Sequence, residues 1–164
     1  MSKIAFYTAD TENYFRDVSK ILKKTGKYQR IIYVALGRPY DQVLKAIEKY
    51  KLNCSKCFFI DCVTKGAPNQ QLKNVIFVGG QQDLTSLGIA ISQAIGGIEG
   101  KKVVIFGSVG MLFLYNDFAI VQRFLNFITN KLRQNGVDAV LVATKDDPNQ
   151  QALGVIKTFC DEVK

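Results

Sequence analysis

The chain has 164 residues, 48% hydrophobic and 22% charged, a mixture that suits one soluble globular domain able to bury a core without disulfide or metal support. Lys and Arg number 22 against 14 Asp and Glu, a formal charge of +8, which brings nucleic acid and anionic surfaces in as partner classes. His is absent, and with it go the commonest general base, any Ser-His or Cys-His nucleophile system and imidazole metal ligation.

The opening MSKIAFYTADTENYF meets Asp10 and Glu12 before an apolar signal core develops, so no export signal is expected and the cytoplasm is the expected compartment. Lys3 to Thr8 reads as a short strand. Asp10 or Thr11 can cap a helix carrying Phe15, Val18 and Leu22 at helical spacing and stopped at Gly26. Arg30 to Leu36 (RIIYVAL) is a nearly continuous β-branched run. Gly37-Arg38-Pro39 then turns the chain into a helix bearing Val43, Ile47 and Tyr50. Cys57 to Asp61 and Val75 to Val78 are two more short strands, and Leu84, Leu87, Ile91 and Ile95 mark a helix capped by Asp83 and stopped by Gly96-Gly97.

VVIFGSVGMLFLYND follows, from Val103 to Asp117: a buried strand broken at Gly107, then an apolar segment. The apolar run up to Tyr115 falls short of the roughly 18 residues that cross a bilayer, so no membrane span is expected. Asn116 or Asp117 can cap the longest helix, with Val121, Phe124, Ile128 and Leu132 as its core stripe and Asn135-Gly136 as its stop. Val137 to Ala143 is the next strand. Asp147-Pro148 opens a last helix with Leu153, Ile156, Phe159 and Val163, weakened by Gly154. Strands buried on both faces and alternating with amphipathic helices predict a single α/β domain over residues 1–164, three layers α/β/α around a mainly parallel sheet.

In such a fold ligands bind beyond the carboxyl ends of the strands. The residues placed there as candidate ligand-binding groups are Gly37, Arg38, Tyr40, Asp61, Gly79, Gly107 and Ser108. Asp61 can bind a cation, cap a turn or pair with Arg38; Tyr40 and Tyr115 can floor an adenine or partner pocket or form core rim. The strand-end edge is acidic, through Asp10, Asp61, Asp83 and Asp146. The opposite edge is basic, and Lys23, Lys24, Lys101 and Lys102 are its candidate nucleic-acid contacts. The same polarity also follows from helix dipoles, which favour acids at N-termini and bases at C-termini. Scattered lysines without a stacking motif make only a weak, nonspecific footprint.

No cofactor motif is present. The first strand-to-helix turn lacks the glycines of a dinucleotide fingerprint, and G-x-x-x-x-G-K-[ST] occurs nowhere. Cys54-Ser-Lys-Cys57 matches C-x-x-C, but it precedes its strand where a redox pair follows one, and a zinc site lacks a near fourth ligand. Buried or incidental thiols are the plainer reading, and no metal or cofactor is expected.

The stretches IIYVALGRPYDQVLKAIEKY, CFFIDCVTKG, NVIFVGGQQDLTSLGIAISQAI and KKVVIFGSVGMLFLYNDFAIVQRFLNFITNKLRQNGVDAVLVA resemble, in order, archaeal RecA/KaiC-like ATPase-fold domains, over Ile31 to about Ala143. The likeness looks closest to relatives without a P-loop. In those domains the strand matching VVIF ends in Asp-Ser, the Walker B acid that helps hold magnesium, and an apolar run and Tyr-Asn follow. Here Gly107-Ser108 stands at that place and Leu114-Tyr115-Asn116 ends the run. Catalytic glutamates follow the strand matching IIYVAL in KaiC-like enzymes, where this chain has Gly37-Arg38-Pro39-Tyr40. The chain begins close to its first strand, so no Walker A motif is expected upstream. The resemblance therefore implies an emptied ATPase site, with no ATP hydrolysis, in a regulatory or protein-interaction module. Its expected partner is another protein or a second copy; a nucleotide or small-ligand sensor and a nonspecific nucleic-acid accessory are the alternatives.

Overall fold

The computed structural model describes residues 2–52, 54–65 and 72–164; Gly66, the last residue of the CFFIDCVTKG stretch, lies outside them. Among the described residues seven strands form one sheet: β1 (Ile4–Ala9), β2 (Arg30–Ala35), β3 (Cys57–Asp61), β4 (Val75–Phe77), β5 (Lys102–Gly107), β6 (Asp138–Thr144) and β7 (Glu162–Val163). The spatial order is β4-β3-β2-β5-β6-β1-β7, and every pairing is parallel. The connecting helices are α1 (Tyr14–Lys23), α2 (Tyr40–Lys49), α3 (Leu84–Gly97), α4 (Phe118–Gln134) and α5 (Gln150–Lys157), with 3₁₀ segments at Cys54–Lys56 and Val109–Leu114.

Alternation along the strands sorts the core into two layers. Ile32, Val34, Val104 and Phe106 face α3, α4 and α5, whereas Ile31, Tyr33, Val103 and Ile105 face α1 and α2. Because β2 and β5 have helices on both sides, their runs IIYVA and VVIFG are buried from end to end. The chain leaves β2 for β3 on one side, and β5 leads to β6 on the other. The carboxyl ends of β2 and β5 therefore flank the point where the strand order reverses, the place at which open parallel sheets form a ligand crevice.

Three local expectations are corrected. The cap of α1 is Asn13, not Asp10 or Thr11, and the Asp10 carboxylate accepts from the Asn13 backbone N–H at 3.1 Å and its side-chain Nδ2 at 2.7 Å. The core stripe of α4 runs Val121, Leu125, Ile128 and Leu132, and Phe124 is only half-buried at its flank. The last helix ends at Lys157, so Phe159 and Val163 are not helical. Residues 162–163 instead add a strand beside β1, where the Lys164 N–H donates to the Phe6 carbonyl at 2.8 Å. The Asp161 carboxylate accepts from the Ile4 N–H at 2.8 Å and pins that turn. Strand pairing here overrides a helical spacing already weakened by Gly154.

Among the described residues no helix is long and apolar enough to cross a membrane.

Candidate functional site

Gly37, Arg38, Gly107 and Ser108 meet in one pocket of about 200 Å3 at the β2/β5 switch point, with Thr11, Tyr14 and Phe15 from the β1–α1 turn along its wall. Each arrives by a simple route. Leu36 N–H donates to the Gly107 carbonyl at 3.0 Å, so the pairing of β2 with β5 continues to the last residue and delivers both turns together. The Gly107–Ser108 peptide is cis. Ser108 precedes the 3₁₀ segment; its carbonyl accepts from Met111 N–H at 3.1 Å and its side chain makes no cap bond.

The floor of this pocket is aromatic. Tyr33 from the middle of β2 and Tyr14 from the first turn of α1 direct their hydroxyls at the Cα of Gly107, where an added Cβ would stand 2.4 Å from Tyr33 Oη and 2.5 Å from Tyr14 Oη. Only glycine fits there. Burial pushes the Tyr33 phenol up to about 12, against the smaller opposing influence of the Tyr14 hydroxyl and the Arg38 charge, and burial also lifts Tyr14 well above its ordinary value. Both are neutral phenols at pH 7. Tyr14 Oη is buried, and the Tyr33 hydroxyl adds to the rise of the Tyr14 phenol. Neither tyrosine stood out in the sequence, since one reads as strand core and the other as a helix start; only the folded sheet brings them to one glycine.

Arg38 is exposed, and its guanidinium lies 5.2 Å from the centre of the Phe15 ring, a cation–π contact rather than an ion pair with Asp61. Asp61 is fully buried, and its carboxylate is consumed by local bonds. It accepts from Val63 N–H at 2.8 Å, Thr64 N–H at 2.9 Å, Thr64 Oγ1 at 2.6 Å and Tyr40 N–H at 3.0 Å. It thus ties the loop after β3 to the start of α2, in a place where an unpaired carboxylate would be prohibitive. Tyr40 turns away from the pocket and packs on Phe59 and Phe77, with ring centroids 6.1 and 5.7 Å away. Gly79 faces open space on the loop after β4. The neighbouring Gln81 donates to the Leu36 carbonyl at 2.9 Å, and Asn116 donates to the Gln81 carbonyl at 3.0 Å, so these polar groups brace loops. Tyr115 is half exposed at the end of the 3₁₀ segment.

At the opposite edge Lys23 and Lys24 project from the end of α1, and Lys101 lies 5.6 Å from the Tyr28 ring centre, which Lys27 also approaches at 5.1 Å. Lys102 Nζ donates to the Ile95 carbonyl at 3.0 Å, closing the end of α3. Acids stand among these bases: Tyr28 donates to the Asp138 carboxylate and Lys3 pairs with Glu162. Burial and the Asp138 contact raise the Tyr28 phenol.

The four cysteines are free thiols. Burial raises Cys57 to about 12 and lifts Cys54, so neither is a thiolate at neutral pH. Among the described residues no three of the Cys, Asp and Glu side chains gather where they could hold a metal ion.

A parallel sheet with this order, covered on both faces and carrying a crevice at its β2/β5 switch, has a counterpart among solved structures, and the fold is RecA/KaiC-like. The chain belongs to a family of unknown function, DUF7504, whose model matches residues 13–163. One similar structure is an uncharacterized protein of Pyrococcus horikoshii in complex with an unknown peptide, with a TM-score of 0.69 at 12% identity over 99% of this chain and 76% of that one. Another is a KaiC-like protein of Pyrococcus horikoshii OT3, with a TM-score of 0.62 at 13% identity over 98% of this chain and 69% of that one. At such identities the likeness shows the fold alone. No curated protein matches the chain.

Proposed function

We propose that the chain is a noncatalytic RecA/KaiC-like domain that acts as a regulatory or protein-interaction module. The observation that carries this reading is the end of β5. The resemblance leads one to expect a magnesium-holding acid at position 107, and the room for that side chain is taken by the hydroxyls of Tyr14 and Tyr33. Phosphoryl transfer depends on positioning and on neutralising charge with a P-loop Lys, its amides, Mg²⁺ and an acid. None of these residues occurs at its expected place in this sequence. The peptide bound to the Pyrococcus horikoshii protein of the same fold supports an interaction role.

One observation favours a second reading. The hydroxyl of Tyr14 and the exposed Arg38 share a small pocket, which suits a sensor that binds a small ligand without hydrolysing it. A single set of samples separates the readings. Purified protein incubated with ATP and Mg²⁺ is expected to release no phosphate above a boiled control, and ATP is expected to leave its melting temperature unchanged. Magnesium-dependent turnover that survives repurification and is lost in Ser108→Ala overturns the noncatalytic reading. A melting temperature raised by ATP and restored in Arg38→Ala, without phosphate release, moves the assignment to the sensor.

A further inference from the structure

A wide cavity lies away from the strand ends, on the outer face of the α3/α4 layer. It is a groove of about 630 Å3. Its walls are unusual for a surface. α3 is LTSLGIAISQAIGG, with no charged side chain along its whole length, and its outward Ile89 is 54% exposed. α4 carries a second apolar row beside its core stripe. Ile120, Phe124 and Phe127 recur at helical spacing and continue to Lys131; Ile120 is 42% exposed and Phe127 59%. Solvated helices place charge at such positions, and a contiguous apolar groove of this kind marks an interaction surface.

The row from Ile120 to Lys131 extends about 17 Å at 1.5 Å per residue, the length of three helical turns. Two roughly parallel helices with a trough between them accept a third helix as ridges fit grooves. Charge identifies the occupant. Among the described residues the only ionic side chains lining the groove are Arg123 and Lys131, both basic. Among the described residues Arg123 has no ion-pair partner, and Lys131 leans over the Phe127 ring at 5.9 Å from its centre. A second copy docked face to face would oppose these cations with identical cations and bring no acid to meet them. We infer that the α3/α4 groove is the docking site for an acidic amphipathic helix of a partner protein, whose apolar row seats on Ile89, Ile120 and Phe127 and whose carboxylates meet Arg123 and Lys131. This rests on the protein-interaction reading above and gives it a surface and a partner chemistry.

The test is a displayed library of single helices about 18 residues long, one face fixed as Leu and the flanks randomised among Glu, Lys, Gln and Ala, selected against the whole chain. Binders are expected to be rich in Glu beside the Leu row and to gain helicity on binding. Phe127→Ala and, separately, Arg123→Glu/Lys131→Glu are each expected to weaken them about tenfold, a loss of about 1.4 kcal/mol. Arg123 and Phe127 are exposed and Lys131 is half-buried with its charge outside the core, so the variants should melt with the parent. No binders, binders rich in Lys or Gln, or binders indifferent to both variants overturn the inference. A dimer in sedimentation that Phe127→Glu dissociates also overturns it, in favour of a second copy. These outcomes do not depend on the phosphate assay: turnover of ATP would sink the noncatalytic reading and leave the groove standing, and a blank assay with no acidic binders would sink the groove alone.

Discussion

At Gly107 a single missing side chain organises the neighbourhood. The hydroxyls of Tyr14 and Tyr33 occupy the volume of a Cβ, and both belong to rings held by the packing of α1 and β2, so neither can swing aside freely. Gly107→Ala is therefore expected to destabilise the fold by about 1–3 kcal/mol, the range for overpacking a tight core. Tyr14→Phe is expected to be close to neutral alone, within about 1 kcal/mol, because the hydroxyl it removes is buried with the Tyr33 hydroxyl as its polar neighbour. In the double variant the phenyl ring returns part of the room the alanine needs. Urea unfolding of the two single variants and the double variant measures all three, and a Gly107→Ala protein as stable as the parent would show that the hydroxyls yield. Asp61 makes the complementary point. Among the described residues it is the one fully buried carboxylate at the strand ends, and its bonds to Val63, Thr64 and Tyr40 account for its burial without calling on a ligand.

Among the elements, β7 is the least substantial, with two residues paired to β1 at the sheet edge. Its anchorage is ionic as much as it is a strand ladder. The Ile4 N–H bond and then the Arg133 charge hold the Asp161 carboxyl below its ordinary 3.8, and Lys3 followed by Lys164 hold Glu162 below its ordinary 4.5. A carboxyl depressed in the folded state contributes stability that is fully present above its ordinary value and is lost as pH falls through the folded one. Hydrogen exchange at the β1 and β7 amides is thus expected to accelerate below about pH 4, ahead of the sheet centre, and Asp161→Asn should remove much of that acid dependence. Uniform acid sensitivity across the sheet would refute a local anchorage. The same element shows where sequence reading stopped. Leu153, Ile156, Phe159 and Val163 keep a helical rhythm, and nothing local announces that the chain turns at Thr158 to meet β1, since that outcome depends on a strand far away in sequence. β2, β3 and β5 were legible because burial on both faces leaves apolar runs. The strand-end turns carrying Gly37, Arg38, Gly107 and Ser108 were legible for the same reason, but their convergence with Tyr14 and Tyr33 was not. The second apolar row of α4 is legible too: Ile120, Phe124 and Phe127 recur at helical spacing beside the core stripe, and the neighbouring α3 sequence carries no charge, which together signal the groove.

On the scale of the whole molecule, the charge of +8 asks whether the basic edge of the sheet has a polyanionic partner. Much of that charge is already placed. Lys102 closes the end of α3, Lys101 and Lys27 lean on Tyr28, Lys3 is paired with Glu162, and Asp138 sits in their midst. What remains for a partner is a dispersed set of exposed cations, Lys23, Lys24, Arg30, Lys51 and Lys73 among them, which can touch phosphates but cannot read bases. Binding of single- or double-stranded nucleic acid is accordingly expected to be weak and indifferent to sequence, and to fall by orders of magnitude between about 50 and 200 mM salt as released counterions cease to favour it. Exchanging Lys23, Lys24, Lys101 and Lys102 for Gln should weaken it further while leaving acidic helices bound at the α3/α4 groove, because that groove draws its charge from Arg123 and Lys131 alone. Fluorescence anisotropy of labelled oligonucleotides across a salt series makes the measurement. Tight, sequence-selective binding that persists at about 200 mM salt would place a nucleic-acid role above the interaction module, whereas residual binding unaffected by the lysine exchanges would assign that edge to helix-end electrostatics.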